Sequence, residues 1–252
     1  MPNTVARPAI KVIVKLNVVV FIILIYAGID RKYVFIFILC YNMLEVRSEV
    51  MNYDLEMEKI IKNINPGEKL LLHACCAPCS SAVLERLGNL FQISILFYNP
   101  NITSGEEYTK RLVELEKFVG RFKTKYKIDV IAGRYEPREF FDIAKGLEAE
   151  PERGKRCYKC YELRLEECAK VAEKMGINYF TTTLSLSPYK NALWINEIGK
   201  QLEEKYDGHF LYADFKKKNG YKRSIELSKE FALYRQDYCG CVYSFRDKIK
   251  DT

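Results

Sequence analysis

Histidine is scarce in this chain of 252 residues: there are two, His73 and His209. Glycine loops that cradle phosphate are missing, since neither G-x-x-x-x-G-K-S/T nor G-x-G-x-x-G occurs, and this excludes nucleotide binding of those two kinds. No internal repeat or low-complexity tract is present, which excludes a solenoid. Apolar runs are too short for a spanning helix, which needs roughly 20 residues. The two longest, residues 16–29 and 33–44, are separated by Asp30, Arg31 and Lys32. Glycine and proline occur in ordinary numbers, and 48% hydrophobic residues suffice to bury a sizeable core.

What stands out instead is cysteine. Nine are present, and six fall in three tight pairs: adjacent Cys75-Cys76, Cys157 and Cys160 spaced C-x-x-C, and Cys239 and Cys241 spaced C-x-C. An odd, clustered set of thiols is unlike the disulfide framework of a small secreted domain. It points to a reducing, cytoplasmic compartment and a metal or redox role. The formal charge of +7, from 40 Lys+Arg against 33 Asp+Glu, permits nucleic-acid binding without demanding it.

Residues 1–50 do not match the rest. They form an apolar N-terminal extension with three readings: a translated leader upstream of a natural start at Met51, a membrane-associated hairpin, or an added β-rich element. Tyr26-Ala27-Gly28 is only a weak signal-peptide cleavage site, because a second apolar run follows it. No stable membrane partner is expected, and Cys40 reads as a small buried hydrophobe. Residues 51–252 are expected to form a second, folded domain that carries the chemistry. From residue 69 short β-rich runs (69–74, 93–98, 128–132, 179–183, 210–212) alternate with helical patterns (80–90, 104–126, 137–144, 158–175, 191–206, 224–234). This alternation predicts an α/β fold, a doubly wound Rossmann-like parallel sheet with helices on both faces. Ligands of such sheets lie beyond the carboxyl ends of the strands, where residues 75–79, 99–101, 184–189 and Asp214 fall.

Cys75 and Cys76 lie where a strand gives way to a helix. Neighbouring strand residues point to opposite faces, so both serve one site only if the chain turns there, as Pro78 suggests. A helix start also favours thiolates. Cys157 and Cys160, on a helix among basic residues, have ordinary metal-ligand spacing; a dithiol redox pair is the competing reading. Joined to Cys75 and Cys76 they make four thiolates, suited to structural zinc or a 4Fe-4S cluster alike. Cys168 reads as core. Cys239-Gly240-Cys241 closes a small ring if oxidised and suits reversible electron storage, or else supplies two further metal ligands. Lys216, Lys217, Lys218, Tyr221, Lys222 and Arg223 form a basic, aromatic loop. With Lys190 and Arg235 they read as phosphate contacts with base stacking, against a solvated charged loop. His73 is either a site residue or a satisfied core histidine.

With these residues in view, the chain resembles the cobalamin-independent epoxyqueuosine reductases, the QueH family. The resemblance rests on His73-Ala-Cys75-Cys76-Ala-Pro78-Cys79-Ser80, Tyr98-Asn99-Pro100-Asn101-Ile102, Cys157-Tyr-Lys-Cys160-Tyr-Glu-Leu-Arg164, Ser187-Pro188-Tyr-Lys190-Asn191, the segment from Asp214 to Ser224, and Tyr234-Arg235-Gln236-Asp237-Tyr238-Cys239-Gly240-Cys241. It implies reduction of epoxyqueuosine to queuosine at the wobble position of tRNA, on a core similar to the PP-loop (HUP-like) nucleotide hydrolases. It also implies an iron–sulfur cluster on Cys75, Cys76, Cys157 and Cys160, and a redox-active pair at Cys239 and Cys241. A further iron is implied beside the cluster, with Cys79 and Asp214 as candidate ligands. The partners are then tRNA and an unidentified electron donor. Asp214, Asp237 and His73 are candidate acids for the departing oxygen. Two other readings compete: a zinc-stabilised tRNA-binding module without redox chemistry, and a thiol–disulfide oxidoreductase acting on proteins.

Overall fold

The computed structural model describes residues 51–250; the expectations for residues 1–50, Cys40 included, lie outside the described residues. Helix α1 (Tyr53–Asn63) starts at Asn52, whose side chain accepts the amide hydrogens of Asp54 and Leu55. The chain then runs β1 (Glu68–His73), α2 (Ala77–Leu87), β2 (Phe91–Phe97), α3 (Gly105–Arg121), β3 (Ile128–Ala132), α4 (Pro137–Ala144) and α5 (Lys155–Met175). It continues through β4 (Tyr179–Thr182), a 3-10 turn (Thr183–Leu186), α6 (Ala192–Lys205), β5 (His209–Phe210), α7 (Gly220–Glu230) and α8 (Val242–Lys250).

The strands form one parallel sheet in the order β3-β2-β1-β4-β5. This is the doubly wound Rossmann-like α/β fold. Its central strand is apolar without interruption, Leu70-Leu71-Leu72, because both faces are covered. Leu70 and Leu72 join Ile93, Ile95 and Phe97 in a core closed by Met57, Val83, Leu115, Phe118 and Leu227 from α1, α2, α3 and α7. Leu71 points the other way, with Leu96 and Phe180, onto Leu165, Ala169, Ile195 and Ile198 of α5 and α6. Cys168 belongs to that second layer, as core.

Strand order reverses between β1 and β4, and a ligand crevice opens where their carboxyl ends diverge. Both cysteine-bearing turn Ala74–Cys76 and the 3-10 turn leave the sheet at this point. Among the described residues no helix is long and apolar enough to cross a membrane.

Candidate metal and redox site

After β1 the chain is steered by Asn99, whose Nδ2 donates to the Ala74 carbonyl at 2.8 Å. Cys76 then takes an extended conformation (φ −175°, ψ 164°) and caps α2, with Pro78 in the first turn. Its sulfur accepts the Cys79 amide hydrogen at 3.4 Å, and one helical turn returns Cys79 to the strand end. The Cys75 and Cys76 sulfurs are 3.7 Å apart, and all three sulfurs lie within 4.8 Å of one another. Cys75 Sγ also lies 3.9 Å from Thr183 Oγ1, so the group bridges the ends of β1 and β4. Hydrogen bonds from Cys76 and Cys79 favour the Cys75 thiolate and hold it well below the usual thiol range. The same bonds keep protons on the donors, raising Cys79 and pushing Cys76 up to about 12.

The other four thiols meet around a small cavity of about 20 Å³ lined by Cys157, Cys160, Cys239 and Cys241. Cys157 accepts the Arg153 amide hydrogen at 3.3 Å. Burial raises Cys157 and pushes Cys160 up to about 11. Between Cys239 and Cys241, Gly240 holds φ +113°, and a Cβ there would come within 2.9 Å of Ile102 Cγ1 and 3.2 Å of Arg111 Nη1. Cys241 precedes α8 and accepts the Ser244 amide hydrogen at 3.3 Å, the arrangement seen at Cys76. Ser244 Oγ accepts from the Cys239 amide at 3.1 Å and donates to Glu152 Oε2 at 3.2 Å. The helix start favours a Cys241 thiolate by about 1 kcal/mol. Burial opposes it more strongly, at ~1.4 kcal/mol per pKa unit, and pushes Cys241 up to about 12.

A larger cavity of about 890 Å³ is lined by Cys75, Cys79 and Cys239. Glu152, Arg164, Lys190, Cys239 and Ser244 line both cavities, so the two share a wall. Arg164 is 1% exposed; its Nε donates to the Cys160 carbonyl at 3.1 Å, while its Nη2 has no partner among the described residues. Burial works against its charge, but the facing Cys160, Cys239 and Cys75 outweigh that and raise it. Lys190 is raised in the same way, burial being outweighed by Cys239, Tyr161 and Cys75. Arg111 fastens the C-x-C segment, donating to the carbonyls of Cys239 (3.1 Å) and Tyr238 (3.4 Å) while paired with Glu107.

The sequence-derived set is thus divided. The tightest thiol group among the described residues is Cys75, Cys76 and Cys79, whereas Cys157 and Cys160 face Cys239 and Cys241. Lys190, Tyr221, Arg235 and Asp237 line the large cavity. His73 does not line either cavity: it is buried in β1, with Nδ1 2.8 Å from Thr182 Oγ1 and Nε2 3.0 Å from the Tyr98 carbonyl. Both of its ring nitrogens are engaged within the fold, and burial lowers it to about 4. Asp214 is turned onto Lys216 at 2.9 Å, and Lys216 in turn onto the Ser185 carbonyl. Asp237 is exposed, and its ion pair with Lys248 lowers its carboxyl. The basic loop is largely neutralised internally. Lys218 pairs with Glu58, and Arg223 clamps Glu85 and reaches Glu226. Lys217 and Lys222 remain without an ion pair among the described residues, away from both cavity walls.

Sequence reasoning gave no role to Arg111, Glu152 or Ser244, and named Arg164 only within the motif that carries the resemblance. The one signal for Arg164 was its spacing four residues after Cys160, which puts both on one face of α5.

Thiols and buried cations gathered at the switch point of a doubly wound sheet define an α/β protein with a site for metal or redox chemistry. A model of the family described as epoxyqueuosine reductase QueH matches residues 70–247. Curated proteins of that description are similar over most of the chain. The one from Staphylococcus epidermidis is 44% identical over 207 residues (79% of this chain, 87% of the relative). That from Streptococcus pyogenes is 39% identical over 204 residues (78% and 79%), and that from Thermotoga maritima 38% over 182 residues (71% and 91%). The chain belongs to the epoxyqueuosine reductase QueH family.

Proposed function

We propose that this chain reduces epoxyqueuosine to queuosine at the wobble position of tRNA in the cytoplasm. The observation that carries this reading is the gathering of seven thiols in a chain of this family: Cys75, Cys79, Cys157, Cys160, Cys239 and Cys241 line two cavities with a common wall, and Cys76 lies against Cys75. The donor set fits an anionic metal cluster. Thiolate sulfur is a soft ligand suited to iron–sulfur centres, and the unpartnered Nη2 of buried Arg164 is a donor that a cluster's negative charge would satisfy. Cys75, Cys76, Cys157 and Cys160 would hold a 4Fe-4S cluster, and Cys79 would hold a further iron. When bound, such centres supply single electrons and a Lewis acid.

The protein's own residues supply the rest. Converting an epoxide to an alkene takes two electrons and two protons and releases the oxygen as water. A dithiol closing to a disulfide gives up the same number of each: epoxide plus dithiol yields alkene, disulfide and water. Cys239 and Cys241 therefore balance one turnover, and an external electron donor reopens the disulfide afterwards. Glu152, on the wall common to both cavities, relays a proton released by the Cys239/Cys241 dithiol to the departing oxygen. It is preferred to His73 and Asp214, which line neither cavity, and to Asp237, which lines the large cavity alone. Lys190 and Arg235 meet phosphate, and Tyr221 meets a base.

Anaerobic reconstitution with iron and sulfide, followed by incubation with epoxyqueuosine-containing tRNA, a reductant and nucleoside mass spectrometry, tests this proposal. Queuosine is the expected product. Its absence from fully loaded protein defeats the proposal, and a colourless protein holding zinc alone supports the binding-module reading instead.

A further inference from the structure

Three tyrosines line the large cavity, Tyr189, Tyr221 and Tyr238, and each has an arginine against its ring. Arg153 lies 5.4 Å from the Tyr189 ring centroid, Arg235 5.8 Å from that of Tyr221, and Arg111 5.4 Å from that of Tyr238. These arginines are held from behind. Arg153 donates to the Pro188 carbonyl at 3.4 Å, Arg235 to the Ser224 carbonyl at 3.2 Å and Ser228 Oγ at 3.0 Å, and Arg111 to two carbonyls of the C-x-C segment. A tethered guanidinium fixes a ring by cation–π attraction, so the tyrosine is oriented before any ligand arrives.

Tyr189 gives the fold little in return, being 58% exposed. An exposed aromatic on the wall of a cation-lined cavity has the chemistry of a stacking platform for nucleobases. The cavity's 890 Å³ lies near the top of the roughly 300–1,000 Å³ range of pockets for drug-sized ligands, more than one modified base requires.

We infer that Tyr189, Tyr221 and Tyr238 form a stacking path for single-stranded RNA, taking the target base and the nucleotides beside it. This rests on the proposed tRNA substrate and extends it: the enzyme holds an unpaired loop by its base faces, and the arginines set the rings. Stacking accepts any base, so the path grips neighbours without reading them.

The test is fluorescence anisotropy with a labelled, unmodified RNA stem-loop and a fully paired duplex of the same strand, measured over a range of salt concentrations. Wild-type protein is expected to bind the stem-loop in preference to the duplex. Tyr189→Ala raises its Kd about 5- to 150-fold, the range for loss of one aromatic–base stack, without changing the salt slope that phosphate contacts set. Tyr189→Phe keeps wild-type affinity. Tyr126→Ala also keeps it, since Tyr126 carries Lys125 against its ring at 5.1 Å but lies outside the cavity. Unchanged binding by Tyr189→Ala, or equal loss in Tyr189→Phe, overturns the stacking path and leaves the substrate assignment intact. Wild-type protein that binds no stem-loop defeats the tRNA substrate itself.

Discussion

Replacing Arg111 with methionine removes the fastening of the C-x-C segment and strands a carboxylate at once. Arg111 is 1% exposed at its side chain and its partner Glu107 11%, so the pair is buried. Removing one partner of a buried pair costs about 3–5 kcal/mol, because the other charge is left uncompensated. Glu107 retains the Tyr234 hydroxyl at 3.3 Å, which places the loss at about 3 kcal/mol, the lower end of that range. For a domain of this size each kcal/mol moves the melting temperature by roughly 2–4 °C, so a fall of about 6–12 °C is expected. The measurement is a thermal melt of metal-free, reduced protein, alongside the alkylation rate of Cys239, whose carbonyl loses its donor. Adding Glu107→Gln removes the stranded charge and recovers about half the loss. A melt within 2 °C of wild type, or no recovery in the double variant, would refute this reasoning.

His73 is neutral in the fold, burial lowering it to about 4 from 6.5, so the unfolded chain binds more protons between these values. Its contribution of about 3 kcal/mol is complete above pH 6.5 and is lost as pH falls towards 4. Urea titrations of wild type and His73→Gln across that window should diverge, and parallel curves would contradict the assignment. Gly240→Ala forces a side chain into φ +113° against Ile102 and Arg111; a loss of about 2–3 kcal/mol is expected by chemical denaturation, and a neutral result would mean that the segment relaxes freely. Glu152→Gln should keep iron content while lowering turnover on epoxyqueuosine tRNA about 100-fold, and near-normal turnover would remove Glu152 as proton donor.

Most of the sheet is legible because parallel strands buried on both faces read as apolar runs, Leu70-Leu71-Leu72 above all. Helix α1 lies before residue 69, where the strand and helix alternation begins, although Met57, Ile60, Ile61 and Ile64 are spaced as one helix face and pack on the core. The thiols are visible since clustered cysteines are rare. Their grouping is not, because it depends on one helical turn bringing Cys79 back to Cys76 and on a fold that sets α5 beside the C-x-C segment. Charge misled in both directions. Arg223 and Lys218 suggest an RNA surface until Glu85 and Glu58, distant in the chain, are found against them. Arg111 and Arg164 look like surface residues until the fold buries them.

Cys76 and Cys241 each close a helix with sulfur in place of the usual oxygen. Backbone amides therefore hold both sulfurs at the starts of α2 and α8. Each sulfur that takes a new bond weakens its hold on an amide worth about 1 kcal/mol, so the first turns of α2 and α8 register the state of the chemistry beside them. Amide exchange at Cys79 and Ser244 would follow occupancy and oxidation from inside the backbone, without a label on any thiol.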